Sequence, residues 1–129
     1  MNKEFNDLFL RAQSAGMKAL QEATPTPMVV RDANVLTGQP LAGGRQYFVA
    51  DGVCGFAWVH ISPGNCSFAN WLKRSGHARK SYYGGVDVYI HEGNQSMERK
   101  QAYARAMAKI FNEANIPGVK SIYASSRMD

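Results

Sequence analysis

A chain of 129 residues has the size of one domain and is long enough to bury a core without disulfides or structural metals. Hydrophobic residues make up 45% of the chain and charged residues 19%, which excludes wholesale disorder, and no apolar run is long enough to span a bilayer. The formal net charge of +5 favours anionic partners.

The N-terminal segment is charged throughout and lacks the apolar stretch of a signal peptide, so we expect a cytoplasmic protein with no membrane partner. Its apolar residues recur at helical spacing, which predicts an amphipathic helix up to about residue 23. Pro25 and Pro27 end this helix, because each proline disfavours helix at the residue before it. Residues 24–45 are predicted to contain a short strand, Met28–Arg31, and a glycine-rich connecting loop.

A central hairpin is predicted to organise the rest of the chain. Asp51-Gly52 is the strongest short signal for a type I′ turn, which needs positive φ at both central residues. The strand after it, residues 53–61, is apolar on both faces, as a central strand covered on both sides would be. A two-residue turn gives three cross-strand pairs: Tyr47 with Phe56, Arg45 with Trp58, and Phe48 with Gly55.

Four further elements follow this strand. Ser67 caps a short helix over residues 68–75, which Gly76 closes, and residues 86–92 alternate between apolar and polar side chains as a half-buried strand does. Ser96 caps the longest helix, residues 97–115, before a last strand over residues 119–125. The sequence therefore predicts a single α+β domain, with a mostly antiparallel sheet around the central hairpin and three helices packed on it. Residues 1–23 form its N-terminal helix, 24–45 its strand and loop, and 46–129 its core.

The cysteines and histidines form no recognisable catalytic or metal-binding pattern. Two cysteines are too few for a disulfide framework, and we interpret Cys54 as a small buried hydrophobe. Cys54 and His60 share a strand face but lie roughly 20 Å apart along it, too far for a nucleophile and its base. Cys66, His77 and His91 add no paired zinc-type spacing. We expect no catalytic residue, metal or cofactor; a hydrolase that uses Cys54 or Cys66 is the alternative.

The most informative polar feature is the segment of residues 73–85, which is basic and aromatic and contains no acid. Its cations attract phosphate, its tyrosines offer stacking faces, and Gly84-Gly85 leaves backbone N–H groups for an anion. On the longest helix, Arg105 and Lys109 lie one turn apart. The alternative is a solvated surface, with Lys109 paired to Glu113 and the tyrosines packed on the core.

A second candidate site is the polar face of the strand over residues 86–92. Asp87, Tyr89 and His91 share this face, opposite the apolar side chains of Val86 and Val88. If a helix covers the face, these residues belong to the core. If the face is open, they form the wall of a shallow pocket beside the two tyrosines of the preceding loop.

Four stretches of the chain carry a resemblance: DGVCGFAWVHISPGNCSFANWLK, KSYYGG, QSMERKQAYARAMAKIFNEANIPG and the terminal SRMD. They resemble small proteins of tailed bacteriophages that have no established activity. The resemblance covers residues 46–129 and leaves the N-terminal helix and the glycine-rich loop outside it. It implies a cytosolic protein made in an infected bacterium, acting on host machinery or nucleic acid, or serving as a minor virion component.

The leading hypothesis is a non-enzymatic phage accessory protein that binds nucleic acid or another phosphate-bearing ligand. The residues predicted to contact this ligand are Lys73, Arg74, Arg79, Lys80, Tyr82, Tyr83, His91, Arg105 and Lys109. The alternative is a protein-interaction module that inhibits a host or anti-phage defence enzyme, with a host protein as its partner.

Overall fold

The computed structural model describes residues 2–23, 28–31, 46–49, 55–92 and 96–128. These residues form three helices and six strands. In chain order they are α1 (Asn2–Glu22), β1 (Met28–Arg31), β2 (Gln46–Val49), β3 (Gly55–Ser62), α2 (Ser67–Arg74), β4 (Arg79–Lys80), β5 (Val86–Tyr89), α3 (Met97–Glu113) and β6 (Ser121–Met128). Each predicted helix and strand is found, with ends shifted by a few residues. The two-residue strand β4 was not expected.

The main sheet has four antiparallel strands in the order β4-β5-β3-β6. Strand β3 is central: its eight residues pair with β6 along their whole length, and four of them also pair with β5. Helix α3 packs on β3 and β6, and α1 packs on α3 as a second layer of helix. The predicted α+β fold class is confirmed.

The predicted partner of β3 is wrong. Strand β2 pairs with β1 in a separate antiparallel ladder, in which Phe48 is opposite Val29. Phe56 is opposite Arg127, and Trp58 lies between Tyr89 and Ser125. A turn signal specifies a local chain reversal, whereas the neighbour of a strand is decided by which strand completes its hydrogen bonds and buries its apolar face. The Asp51-Gly52 turn, Cys54 and the glycine-rich loop lie outside the described residues.

The core lies between one face of the sheet and the helices. Ala57, Val59 and Ile61 of β3 are buried on this face. An aromatic cluster joins the three helices behind it; its rings are Phe5, Phe9, Phe68, Trp71 and Phe111. The other face of β3 is partly exposed, with Phe56 at 37%. The expectation that this strand is covered on both faces is therefore wrong.

Short side chains cap the N-termini of α2 and α3, and the cap of α3 is the predicted residue. Ser96 Oγ accepts a hydrogen bond from the Arg99 N–H at 3.3 Å and caps α3. The cap of α2 is one residue earlier than predicted, because Cys66 Sγ accepts the Ala69 N–H at 3.4 Å. Gly76 ends α2 with a φ of 78°, the left-handed conformation that favours glycine.

Candidate nucleic-acid interface

The exposed face of the sheet presents side chains in rows that cross its strands. The first row joins Arg79 of β4, Asp87 of β5, His60 of β3 and Tyr123 of β6, each opposite the next in register. Side chains two residues apart on a strand share a face, so the next rows can be read from the same register. This row contains the rings of His60 and Tyr123, the cation of Arg79 and the carboxylate of Asp87.

The next two rows are richer in aromatic rings. Tyr89, Trp58 and Ser125 form the second row, and the rings of Trp58 and Tyr89 lie 5.6 Å apart. Phe56 and Arg127 form the third. With His60 and Tyr123, whose rings are 5.1 Å apart, aromatic side chains extend along the length of β3. Flat rings at this spacing are the platforms on which nucleic-acid bases stack in single-strand binding proteins.

His60 and Asp87 form a fixed polar pair within the first row. Nδ1 of His60 donates to Oδ1 of Asp87 at 2.7 Å, and the two side chains are only 13% and 10% exposed. The backbone of Gly85 lies against the His60 ring, and a Cβ added at Gly85 would be 2.9 Å from His60 Nε2. The sequence placed Asp87 on the polar face of β5, where it does lie, but the pairing with His60 buries its carboxylate.

A cleft of about 1020 Å³ covers this face. It brings together five of the nine residues predicted from the sequence to bind a ligand; these are Arg79, Lys80, Tyr82, Tyr83 and His91. Tyr89 lines it as well, as expected for an open face. His91 is exposed at its wall, and its backbone N–H donates to the Glu92 carboxylate at 3.2 Å. The open-face alternative for the residues of β5 therefore describes the structure.

The two tyrosines stand at the tip of the β4–β5 loop. Tyr82 and Tyr83 are each 92% exposed and meet edge to face, with ring centroids 5.0 Å apart. Hydrogen bonds inside the loop close it, from the Ser81 N–H to the Gly85 carbonyl and from the Gly84 N–H to the Ser81 carbonyl. The alternative in which these rings pack on the core is therefore wrong, and the Gly84 N–H is already used within the loop.

Lys100 and Arg127 lie at one end of the cleft, beside Phe56 of the third row. The Lys100 Nζ lies 5.5 Å from the centroid of the Phe56 ring, and the Arg127 guanidinium carbon lies 5.6 Å from it. Both distances are within the range of cation–π attraction. Neither cation was singled out from the sequence, since Lys100 is on a helix and Arg127 on a strand that the sequence could not place beside Phe56.

The other four predicted residues lie elsewhere. Arg105 and Lys109 line a smaller cleft of about 570 Å³ between α3 and β6, which adjoins the main cleft at Tyr123. Lys109 is 4.0 Å from Glu113, the pair that the solvated-surface alternative gave for it. Lys73 and Arg74 end α2 and line neither cleft. Lys73 Nζ instead donates to the Gly64 carbonyl at 2.9 Å.

Two other reactive side chains among the described residues make structural contacts. Cys66 is buried and caps α2. The ring of His77 stacks on Phe9 with centroids 4.0 Å apart, and burial lowers the pKa of its imidazole below 6.5. Within the part of the chain that the structure describes, no three His, Cys, Asp or Glu side chains are grouped to hold a metal ion.

Several residues that line the cleft were not singled out from the sequence, because their grouping depends on strand pairing. Trp58 and Phe56 were interpreted as core residues, and Tyr123 as part of an unplaced last strand. Alternation was the available signal: rings recur at positions 56, 58 and 60, and polar or aromatic side chains at 123, 125 and 127. Only the pairing of β3 with β6 puts the two sets on one face.

Comparison of the chain with known protein families, with curated proteins and with solved structures finds no match in any of the three. Among the described residues, no helix has the length and apolarity needed to cross a bilayer.

Proposed function

We propose that this is a non-enzymatic binding protein that takes nucleic acid, or another phosphate-bearing ligand, on the open face of its four-stranded sheet. One observation carries the proposal: the rings of Trp58, Tyr89 and Tyr123 lie on one accessible face with cations at both ends. Stacking on such rings is worth about 1–3 kcal/mol per base, and it tolerates any base because every base has a π face.

The charges on this face suit a phosphate backbone. Arg79 and Lys80 lie at the β4 edge and Arg127 lies near the far end of β6, while the one carboxylate in the rows, on Asp87, is engaged by His60. Arg105 and Lys109 flank the face where the two clefts meet at Tyr123. A strand that stacks its bases on the rings can therefore place phosphates against cations at either side.

The bacteriophage resemblance supplies the proposed setting. In this proposed setting, the protein acts as an accessory protein in the cytoplasm of an infected bacterium, where nucleic acid of the host and of the phage is present. Occupation of a minor position in the virion is the variant of this proposal that mass spectrometry of purified particles would detect.

Binding to a labelled oligothymidylate of about twelve nucleotides tests the proposal, because sites of this type span about 4–16 nucleotides. We expect binding that weakens as salt rises, and a loss of about 1–3 kcal/mol in binding free energy for Tyr123→Ala. Fluorescence gives a local readout, since Trp58 lies in the cleft whereas Trp71 is buried in the core.

Leu10→Ala is the matched control, because Leu10 is an exposed apolar side chain on α1, which lines neither cleft. Equal losses for Tyr123→Ala and Leu10→Ala, or an affinity that salt does not change, would contradict the proposal. A duplex of the same length should bind more weakly, because its bases are already stacked and cannot reach the rings.

A second candidate is a protein-interaction module directed at a host or defence enzyme. The Tyr82–Tyr83 pair favours it, because fully exposed aromatic side chains are typical anchors of protein interfaces. Affinity purification from infected cells separates the two candidates. A specific host protein that remains bound after nuclease treatment and high salt, and is lost with Tyr82→Ser and Tyr83→Ser, would support the interaction module.

A further inference from the structure

The geometry points to a phosphate-binding subsite at the Phe56 end of the cleft, formed by Lys100 and Arg127. It rests on the proposed function and deepens it, since it identifies which end of the open face holds a phosphate of the bound strand. The ligand class is a phosphodiester of single-stranded nucleic acid.

Burial of Lys100 is the first observation. Only 7% of this residue is exposed, although a lysine is almost never this buried without a partner. No carboxylate among the described residues lies within 4.0 Å of its Nζ, and no hydrogen bond joins Nζ to them. The packed stem holds the ammonium in one position at the cleft, so an anion bound there orders less of the side chain than one bound by a freely exposed lysine.

Access from the cleft is the second observation. Lys100, Phe56 and Arg127 all line it, so a ligand on the sheet can reach both cations without displacing the core. The aliphatic stem of Lys100 is packed in the protein while its head reaches the cleft, as long cationic side chains commonly do. The subsite is therefore built into the wall of the face on which the bases are proposed to stack.

The Phe56 ring explains how the two cations are held together. Both lie within 5.6 Å of its centroid, and the attraction of the ring face for cations offsets part of their mutual repulsion. A phosphate has several acceptor oxygens and can accept from an ammonium and a guanidinium at once. Phe56 is thus a positioning residue for the cations, whereas Trp58 and Tyr89 present the stacking surface.

Two variants test the subsite on a 5′-hydroxyl oligothymidylate over a salt series. Lys100→Met keeps the packed stem and removes the charge, and Arg127→Gln changes an exposed side chain that the core does not need. Each should weaken binding about ten-fold or more and should lower the salt dependence of log K by about 0.7, the contribution of one phosphate contact in a single strand.

The matched controls are Lys18→Gln and Arg11→Gln, which remove the same charges from exposed positions on α1. They should change affinity less than two- to three-fold, through the net charge alone. Circular dichroism and an unfolding curve check each variant. If Lys100→Met does not fold, Arg127→Gln carries the same test.

Inorganic pyrophosphate is the second probe and separates this inference from the proposed function. It should raise the Tm of the wild type and leave that of Lys100→Met unchanged. If Lys100→Met and Arg127→Gln both match the wild type with both probes, the subsite is overturned. Normal oligothymidylate binding by both variants, with binding lost in Tyr123→Ala, overturns the subsite and leaves the proposed function intact. If the wild type does not bind the oligonucleotide, but pyrophosphate raises its Tm and not that of Lys100→Met, the proposed function is overturned and the subsite stands.

Discussion

Three reactive side chains among the described residues are held by structural contacts. Cys66 caps α2, His77 stacks on Phe9, and His60 is joined to Asp87. A nucleophile needs a base within hydrogen-bond reach, and none of the side-chain hydrogen bonds described for these residues supplies such a pair. The main cleft is lined instead largely by aromatic rings and cations, and the Asp87 carboxylate in it is engaged by His60.

Stability should depend on the protonation of His77. Burial lowers the pKa of its imidazole below the ordinary 6.5, so between the two values the unfolded chain binds a proton that the folded chain resists. The contribution of His77 to the free energy of unfolding is therefore complete above pH 6.5. It is lost as the pH falls from 6.5 through the lower pKa of the folded state.

The variant His77→Phe measures this contribution, because phenylalanine keeps a ring against Phe9 and does not titrate. We expect the wild type to lose stability relative to the variant when denaturant unfolding is repeated from about pH 7.5 down to about pH 5. Parallel stability curves for the two proteins across that range would contradict the assignment.

At the scale of elements, β3 shows why an aromatic strand is hard to interpret from sequence. Its inner residues are aliphatic and buried, and its outer residues Phe56, Trp58 and His60 form the floor of the cleft. Aromatic side chains serve equally well in a core and on a ligand platform, so apolar character on both faces predicted burial on both. The structure has one buried face and one open face.

The contact between α1 and α3 depends on a glycine. Gly16 lies against the buried ring of Tyr103, and a Cβ at this position would come within 2.7 Å of the ring. The same burial, with the charge of Glu92, raises the pKa of Tyr103 to about 12, so its hydroxyl stays protonated over the ordinary pH range. Because Gly16 has no side chain, α1 lies closer to α3 than a larger residue at this position would allow.

We therefore expect Gly16→Ala to destabilise the protein. Overpacking costs about 1–3 kcal/mol, which exceeds the roughly 0.5–1 kcal/mol that alanine gains over glycine inside a helix. Urea unfolding should show a lower midpoint. Ser14→Ala, at an exposed position of the same helix, should instead raise the midpoint slightly, because only the helix propensity changes there. A gain in stability for both variants would show that the ring can move away.

At the scale of the molecule, α1 is part of the core. Phe5, Leu8 and Phe9 are buried, and their rings and side chains belong to the same apolar cluster as the sheet and α3. Burying each such side chain is worth about 1.5–3 kcal/mol, so these three approach the roughly 5–15 kcal/mol by which a typical domain is stable.

Removal of residues 1–23 should therefore abolish cooperative folding. The truncated chain would expose Trp71, Phe111 and Tyr103, which α1 covers or contacts in the full chain. We expect no cooperative thermal transition and an increase in the binding of a hydrophobic dye. A truncated chain with a sharp transition near that of the full chain would show that the sheet with α2 and α3 is sufficient.

The sequence by itself determined the local structure. Periodicity predicted the helices and strands, Ser96 and Gly76 were identified as helix ends, and the alternation of β5 indicated its polar face. Of the nine ligand contacts proposed from the sequence, five line the main cleft. These features depend on residues close together in the chain, where spacing and backbone preference are sufficient evidence.

Only the tertiary structure decided which strands are neighbours and which face is open. Several strands of this chain could complete the hydrogen bonds of β3, and the choice depends on the packing of the whole molecule. That choice puts Tyr123 and Arg127 beside β3 and sends β2 to another ladder. It also brings Lys100 to Phe56, 44 positions away in the chain. The rows of rings and the buried lysine at their end are therefore products of non-local pairing.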